Sequence, residues 1–228
     1  MSIPLFSLCH ATRRLPVGWK ESADVWFERC DQPDEIEYII AVDSDANDCA
    51  PILTPAAPQF GAVARVINSG VKSSTAAWNT AARFSTGQFI ITIADDLFPP
   101  LHWDTEIHKL VPDFSKEAVL WPDLSGDYDI MTFCFVTRPY FERLTREHGY
   151  EGGICYPQYR GMRADDDFTA CAKLDAVIVE ARDLKFTHKH PTYGTAEWDE
   201  TYYWQHRPEA FQVGDSVLER RRREGFRK

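Results

Sequence analysis

The sequence predicts an α/β protein with a mostly parallel central sheet flanked by helices. Two observations lead to this prediction. Near-continuous apolar runs of strand length, such as residues 36–42, are typical of strands that are buried on both faces. These runs alternate along the chain with stretches that have apolar residues near helical spacing, such as residues 18–29. Alternating strands and helices imply parallel strands that are joined by helical crossovers.

The first half of the chain contains four apolar runs of strand length. We predict strands over residues 4–10, 36–42, 62–68 and 89–93. We predict helices over residues 18–29, 73–84 and 102–111. The second half is less regular. Its predicted strands are residues 118–121, 130–137 and 175–181, its predicted helix is residues 138–147, and residues 164–174 form an acidic loop that opens a helix. The last forty or so residues show little periodicity, so no element is predicted there.

Composition and charge narrow the functional classes. The 228 residues include 25 Lys and Arg against 35 Asp and Glu, and the net charge of −10 argues against a broadly basic nucleic-acid-binding surface. No apolar run approaches the roughly 20 residues of a membrane span, and no basic stretch precedes the short apolar N-terminal run. The six cysteines are scattered without a CxxC pair, which argues against a disulfide framework or a thiolate zinc site. We therefore expect a cytoplasmic protein with inert thiols.

Polar clusters follow the first four predicted strands. They are ATRR, DSDAND, NSGVK and ADD. The carboxyl ends of parallel strands meet at one edge of a sheet, and ligands of such sheets bind beyond that edge. In the last cluster, Asp95 and Asp96 emerge directly after a buried strand. They could hold Mg²⁺ or Mn²⁺ on a diphosphate, or they could only cap the following turn.

Two further clusters could carry chemistry. Asp165, Asp166 and Asp167 are consecutive, and one of them could point into a cleft as a general base. The alternative is a set of solvated carboxylates at a helix start. His188 and His190 alternate, so on an extended segment they share a face and could ligate a transition metal. The alternative is structural or surface histidines.

The C-terminus is basic in an otherwise acidic chain. Its cationic residues are Arg220, Arg221, Arg222, Arg223, Arg227 and Lys228. One interpretation is a solvated helix end or a disordered terminus. The other is a patch for the phosphates of a nucleic acid or of an anionic membrane.

The order and spacing of these motifs resemble those of family-2 glycosyltransferases, which have the GT-A fold. The most specific stretch is INSGVKSSTAAWNTAARFSTGQFIITIADDLFPPLHWD, and the resemblance extends from about residue 4 to residue 203. It implies a single Rossmann-like GT-A domain over residues 1–203. Residues 1–104 would bind the nucleotide sugar, residues 105–203 would bind the acceptor, and residues 204–228 would be a C-terminal extension.

The resemblance also implies roles for individual residues. The implied nucleotide-sugar-binding residues are Thr12, Arg13, Asp43, Asn68, Lys72, Asn79 and Asp95. Asp96 would hold the metal, with His190 or less favourably His188, and Asp165 would be the catalytic base. The chain departs from the family pattern at two positions. The usual Asp-x-Asp motif lacks its first acid, because Ile93 and Ala94 precede Asp95, and Ala164 replaces the usual Glu.

The implied function is metal-dependent sugar transfer, with Mn²⁺ or Mg²⁺, from a nucleotide sugar to an acceptor hydroxyl. A UDP-sugar is the expected donor, and a single displacement would invert the anomeric centre. Two alternatives stay open: a nucleotidyltransferase, and a nucleotide-sugar-binding module that has lost catalysis. The acceptor also stays open. A hydroxymethylated DNA base is one candidate, with the basic tail on phosphates and Tyr150, Tyr156 and Tyr159 stacking on an extruded base.

Overall fold

The computed structural model describes residues 4–13, 18–42, 64–68, 72–124, 126 and 129–228, with residues 64–68 described by their backbone. Within these residues, nine strands and seven helices follow one another along the chain. The strands are β1 (Phe6–Thr12), β2 (Ile36–Val42), β3 (Ala64–Asn68), β4 (Phe89–Ala94), β5 (Leu97–Phe98), β6 (Val119–Asp123), β7 (Phe135–Thr137), β8 (Ile178–Lys185) and β9 (Thr187–His188). The helices are α1 (Gly18–Glu28), α2 (Ser74–Phe84), α3 (Trp103–Leu110), α4 (Arg138–His148), α5 (Ala164–Leu174), α6 (Glu200–Gln205) and α7 (Pro208–Arg223).

Seven of these strands form the central sheet, in the order β3-β2-β1-β4-β7-β6-β8. The first four strands of that order are parallel, with Phe6 of β1 opposite Ile36 of β2 and Phe89 of β4. Strand β7 is antiparallel to both of its neighbours, whereas β6 and β8 are parallel. The predicted α/β class with a mostly parallel sheet is confirmed.

Helices cover both faces of the sheet, which explains why β1 and β2 are buried along their whole length. Alternate side chains of a strand point to opposite faces, so the sheet separates two apolar clusters. One cluster joins the sheet to α1 and α3, and its centre contains Trp26 packed edge-to-face on Trp103 at 5.0 Å between ring centroids. The other joins the sheet to α2, α4, α5 and α7.

Several element boundaries differ from the sequence prediction. The strand predicted over residues 130–137 is reduced to β7, because the Met131 N–H bonds to the Thr169 side chain instead of to a ladder partner. The last predicted strand begins three residues late at Ile178. Asp175 ends α5 and Ala176 adopts a positive φ of 54°, so the chain turns there first. Two helices, α6 and α7, occupy the C-terminal stretch where no element was predicted.

One arginine of the basic C-terminus is part of the core, whereas Arg222 and Arg223 are exposed. Arg221 is 1% exposed, and its Nε lies 3.0 Å from Oδ2 of the fully buried Asp167. Tyr150 and Tyr159 are also buried, and both donate hydrogen bonds to Asp167. The sequence interpretation that offered these two tyrosines to an extruded base is therefore wrong, because their rings and hydroxyls are enclosed. The Arg221 guanidinium covers the Tyr156 ring at 4.1 Å.

The last residues of the chain are fastened to α4 and to the end of α5. Arg227 donates to Oδ1 of Asp175, which is 0% exposed, at 2.8 Å. His148 contacts the second oxygen of the same carboxylate at 2.6 Å. The backbone N–H of Lys228 bonds to the Glu147 carbonyl. The residues that follow α7 are thus tied to α4 and to the end of α5.

None of the helices in the described part of the chain combines the length and the apolar character that crossing a membrane requires. Its five described cysteines are free thiols, and burial raises the pKa of the Cys30 thiol to about 12, which makes that thiol unreactive. Cys49 lies outside the described residues.

Replacing Arg221 with Ala is expected to lower the free energy of unfolding by about 3–5 kcal/mol, because it leaves the Asp167 charge buried without its partner. The matched control is Arg222→Ala, one residue further along α7, where the side chain is exposed and a change within about 0.5 kcal/mol is expected. Urea titration of both variants measures the difference. Equal effects of the two substitutions would show that the buried ion pair does not hold α7 in place.

Candidate functional site

A cavity of about 540 Å³ lies at the carboxyl edge of the parallel strands. Its wall includes Thr12 and Arg13 at the end of β1, Asp95 and Asp96 after β4, and Asp165 at the start of α5. The C-terminal segment closes the other side with residues of α6 and α7. The edge at which ligands were predicted to bind therefore does carry a cavity.

Asp95 is held by two neighbours from β1. His10 Nε2 lies 2.8 Å from its Oδ1, and the Thr12 hydroxyl donates to its Oδ2 at 2.9 Å. The other ring nitrogen of His10 is 2.6 Å from the Tyr38 hydroxyl. Burial raises the pKa of Tyr38 well above its usual value, so this hydroxyl keeps its proton and donates to His10. With Nδ1 accepting from Tyr38, the ring proton of His10 lies on Nε2 and is donated to Asp95, which holds the carboxylate at the cavity wall.

Asp96 has one engaged and one open carboxylate oxygen. Tyr202 donates to Oδ2 at 2.8 Å, and His188 Nε2 is 3.5 Å from the same atom. Oδ1 is buried and has no hydrogen-bond partner among the described residues. Burial by itself would raise the pKa of Asp96, but the contacts with His188 and Tyr202 outweigh it, and the pKa lies below its usual value. Asp96 is therefore an anionic carboxylate with one oxygen still to be satisfied.

The two histidines reach the cavity through the small sheet. Strand β9 pairs with β5, with His188 opposite Leu97, which places His188 beside Asp96. His190 lines the cavity two residues later. Burial, and then the nearby His188, lower the pKa of His190 to about 4, so its imidazole is neutral at physiological pH. Its Nδ1 accepts a hydrogen bond from the Thr192 N–H at 3.2 Å, which puts the ring proton on Nε2.

The three consecutive aspartates at the start of α5 have three different surroundings. Asp165 faces the cavity, and burial followed by the negative charge of Asp166 raises its pKa to about 6. Asp166 lies 3.6 Å from the Arg163 guanidinium. Asp167 points into the core toward Arg221. Of the three, Asp165 has the position and the raised pKa of a general base.

Three cations surround the ring of Trp204, which lines the cavity mouth. The Arg207 guanidinium is 4.1 Å from the ring centroid, the Lys72 ammonium 4.6 Å and the Arg13 guanidinium 5.4 Å. These cations come from the end of β1, from the segment before α2 and from the link between α6 and α7. We call these four residues the Trp204 cluster. It concentrates positive charge at the cavity of an acidic protein, where it would attract phosphate groups.

The other sequence-predicted residues have different outcomes. Asn79 does not line the cavity and is not positioned to bind a nucleotide. Its buried amide instead donates to the Cys155 carbonyl and accepts from the N–H groups of Ile154 and Cys155. These bonds use three of the four hydrogen-bonding positions of the amide, so Asn79 fixes the loop of residues 154–155. Asn68 ends β3 opposite Val42, and its side chain is not described. Asp43 lies outside the described residues.

Sequence reasoning missed five residues that shape the site. They are His10, Tyr38, Tyr202, Trp204 and Arg207. Only His10 carried a signal, as an ionisable residue inside an apolar strand run that ends at the ligand edge. The three C-terminal residues lie in the stretch without periodicity. Contacts with residues far away in sequence, such as Tyr202 with Asp96 and Trp204 with Lys72, bring this stretch to the cavity.

Comparisons with known proteins agree with this geometry. A family model described as glycosyl transferase family 2 matches residues 27–168, which is more than half of the chain. A comparison with curated protein sequences gives no significant match.

Solved structures share the fold at low sequence identity. The crystal structure of S. aureus TarS is 13% identical with a TM-score of 0.64, and the match covers 95% of this chain but only 43% of TarS. TarS 1–349 in complex with UDP-GlcNAc is 13% identical with a TM-score of 0.62, covering 95% of this chain and 72% of that one. Mannosyltransferase PcManGT from Pyrobaculum calidifontis, in complex with GDP-Man and Mn²⁺, is 14% identical with a TM-score of 0.56, covering 96% and 75%.

These three structures support the fold assignment, and the family model supplies the relationship. The cavity at the carboxyl edge of β1 and β4 lies where such a fold binds its ligands. The chain belongs to glycosyl transferase family 2 and has the GT-A fold of its enzymes.

Proposed function

We propose that the protein transfers a sugar from a nucleotide-sugar donor to a hydroxyl group of an acceptor. The observation that carries this proposal is the convergence of Asp95, Asp96 and Asp165 on one cavity whose mouth is lined by the Trp204 cluster. Family membership supports sugar transfer over nucleotidyl transfer. Fold relatives in complex with UDP, UDP-GlcNAc or GDP-Man support a nucleotide sugar as the donor.

The charges of the cavity suggest how the donor would lie. Asp95, held by His10 and Thr12, offers carboxylate oxygens to the hydroxyls of the ribose. The diphosphate would lie between Asp96 and the Trp204 cluster, because the cations there attract its negative charge. We expect a uridine nucleotide first, with guanosine as the alternative that the fold relatives offer.

The residues present can contribute to a divalent metal site but do not complete one. Asp96 Oδ1 is a buried carboxylate oxygen without a partner among the described residues, which is the donor type that Mn²⁺ and Mg²⁺ prefer. The neutral His190 can ligate Mn²⁺ only when its proton moves from Nε2 to Nδ1, which gives up the bond from Thr192. The described residues contain no group of three or more candidate ligands. We therefore propose that the protein supplies some of the ligands of the ion and the donor diphosphate supplies the others. When bound, the ion would neutralise charge on this leaving group.

Asp165 would perform the proton transfer. The acceptor hydroxyl gives its proton to Asp165 while its oxygen forms a bond to the anomeric carbon of the donor sugar. The bond between that carbon and the diphosphate oxygen breaks, and its electron pair leaves with the nucleoside diphosphate. This single displacement inverts the anomeric configuration. A carboxylate with a pKa near 6 is a stronger base than an ordinary aspartate and is still mostly ionised at neutral pH.

A second candidate is a nucleotide-sugar-binding protein without turnover. Ala94 favours it, because it removes the first acid of the usual metal motif. Both candidates predict donor binding. Only the transferase predicts metal-stimulated release of nucleoside diphosphate, and the pH dependence of that release identifies the base.

Thermal unfolding with UDP, UDP-GlcNAc, GDP and GDP-Man tests the donor site. At a concentration near 100 Kd, the correct nucleotide is expected to raise Tm by about 5–10 °C, because it binds only the folded protein. Mn²⁺ should increase this rise in Tm. Mn²⁺ without a nucleotide should change Tm little, because the protein alone supplies only some of the ligands of the ion.

Asp96→Asn should remove the Mn²⁺-dependent part of the shift while keeping an oxygen that accepts from Tyr202. Glu142→Gln, an exposed acid-to-amide change on α4, is the matched control and should behave as wild type. The metal assignment would be rejected if the nucleotide raised Tm equally with Mn²⁺ and with EDTA, and if Asp96→Asn left this rise unchanged. The absence of any nucleotide shift would reject the donor site.

The base is tested by Asp165→Asn, for which turnover is expected to fall about 10²- to 10⁴-fold with donor binding retained. In the wild type, kcat should rise with pH through an apparent pKa near 6, because only the ionised carboxylate accepts a proton. Asp166→Asn is the matched neighbour. It should keep turnover and move this acid limb to lower pH, because the negative charge that raises the pKa of Asp165 is removed.

The acid limb of Asp166→Asn should still lie above the pKa of an ordinary aspartate, since burial is the larger cause of the raised pKa. Steady-state rates from pH 4.5 to 8.5 measure both effects. An unmoved acid limb, or normal turnover in Asp165→Asn, would assign the base to another group.

A further inference from the structure

We propose that Trp198 and Tyr203 form a stacking platform for the acceptor, and that the acceptor is a neutral oligosaccharide. This inference rests on the function proposed above and names the acceptor class for the same cavity. We call this pair the aromatic platform. Its rings are 5.4 Å apart between centroids and 30° from parallel, and the residues are 42% and 64% exposed.

The local sequence explains why the two rings stack. Asp199 is the N-cap of α6, and its side chain accepts a hydrogen bond from the Tyr202 N–H. Trp198 immediately precedes this cap and Tyr203 is the fourth residue of the helix, which are the positions that pack together in a hydrophobic staple. The staple accounts for the contact between the rings but not for two large aromatic residues that remain this exposed. A pair already held in place would lose little conformational entropy on binding a ligand.

The platform continues into the cavity through a row of rings. The Trp198 ring meets the edge of His206 at 5.2 Å, and His206 lies 5.3 Å from His190. Both histidines line the cavity that contains Asp165. An acceptor with its reacting hydroxyl at Asp165 could therefore extend its next sugar units over the aromatic platform.

The chemistry of the platform fits a sugar. The C–H groups on the face of a pyranose ring carry slight positive charge, which complements the negative face of an aromatic ring. Glu197 and Glu200 flank the platform and are exposed, and their carboxylates can accept hydrogen bonds from sugar hydroxyls. The same carboxylates repel phosphate and sulfate groups, so they disfavour nucleic acids and acidic glycans.

Several of the features that pointed to DNA are enclosed or engaged within the protein, and of the arginine run only Arg222 and Arg223 are exposed. Arg221 of the basic tail is buried against Asp167, and Tyr150 and Tyr159 are enclosed in the core. Arg220, which is partly exposed, interacts with Gln158 and Glu224. The exposed aromatic rings of the platform are instead flanked by Glu197 and Glu200, in a protein with a net charge of −10.

The test is binding of the full chain, with UDP and Mn²⁺, to an array of probes. The array carries neutral gluco-, galacto-, manno- and N-acetylhexosamine oligomers, sulfated and sialylated glycans, and hydroxymethylated DNA. Neutral oligomers of two or more units should be retained, and calorimetry then gives Kd for the best probe. Trp198→Leu combined with Tyr203→Leu preserves an apolar staple but removes both aromatic faces, and should weaken Kd at least tenfold.

Phe84→Leu is the matched control, because Phe84 is 49% exposed on another helix, and Kd should not change. The nucleotide-dependent rise in Tm, measured in the same samples, reports the donor site separately. If the aromatic platform is needed for glycan binding but no nucleotide raises Tm, the platform assignment is supported and the proposed transferase function is rejected. With the rise present, three results overturn the inference: no neutral oligomer is retained, the leucine variant binds it normally, or DNA or acidic glycans bind better.

Discussion

The buried ion pair between Asp167 and Arg221 is the contact on which the arrangement of the site depends. It joins the first turn of α5 to the last turn of α7, and both partners are almost completely excluded from solvent. Helix α7 also meets the segment just before α5 at Gly214, where a Cβ atom would lie 2.5 Å from the Met162 carbonyl oxygen, so only glycine allows this approach. Because α7 is held there, the segment before it carries Trp204 and Arg207 to the cavity mouth. The position of Asp165 and the position of the C-terminal wall are therefore set by one interaction.

The three aspartates of α5 show how surroundings determine the role of a side chain. Asp167, turned toward the core, is paired with a guanidinium and receives two tyrosine hydroxyls, so its charge is fully compensated. Asp165, two residues before Asp167, faces the cavity with a raised pKa. A carboxylate in such a place is destabilising at neutral pH, because its raised pKa means that the ionised form is held less favourably in the folded protein than in the unfolded chain. This cost is typical of a residue that is kept for chemistry rather than for stability.

The sequence predicted the parts of the molecule that depend on local pattern. Apolar runs of strand length located the parallel strands, and their order placed Asp95 and Asp96 at the ligand edge. The role of Asp165 came from the family resemblance and not from strand order. The sequence could not predict the C-terminal wall, because Tyr202 and Arg221 owe their positions to partners 106 and 54 residues away. A run of four arginines indicates a solvated helix end. Only the structure shows that one of them, Arg221, pairs with the buried Asp167. Motif spacing alone also could not show that the Asn79 amide is occupied by the backbone of residues 154–155.

The shortened acidic motif and the C-terminal wall have a common consequence for the proposed reaction. Ala94 leaves Asp96 as the main carboxylate available to an ion, and Tyr202 and His188 already occupy one of its oxygens. An ion with so few protein ligands would depend on the diphosphate for most of its coordination. The Trp204 cluster supplies three further positive charges near the same leaving group, and these charges need no metal. On the proposed function, neutralisation of the departing diphosphate is therefore shared between the ion and the Trp204 cluster. Metal should stimulate this enzyme without being the sole support of its leaving group.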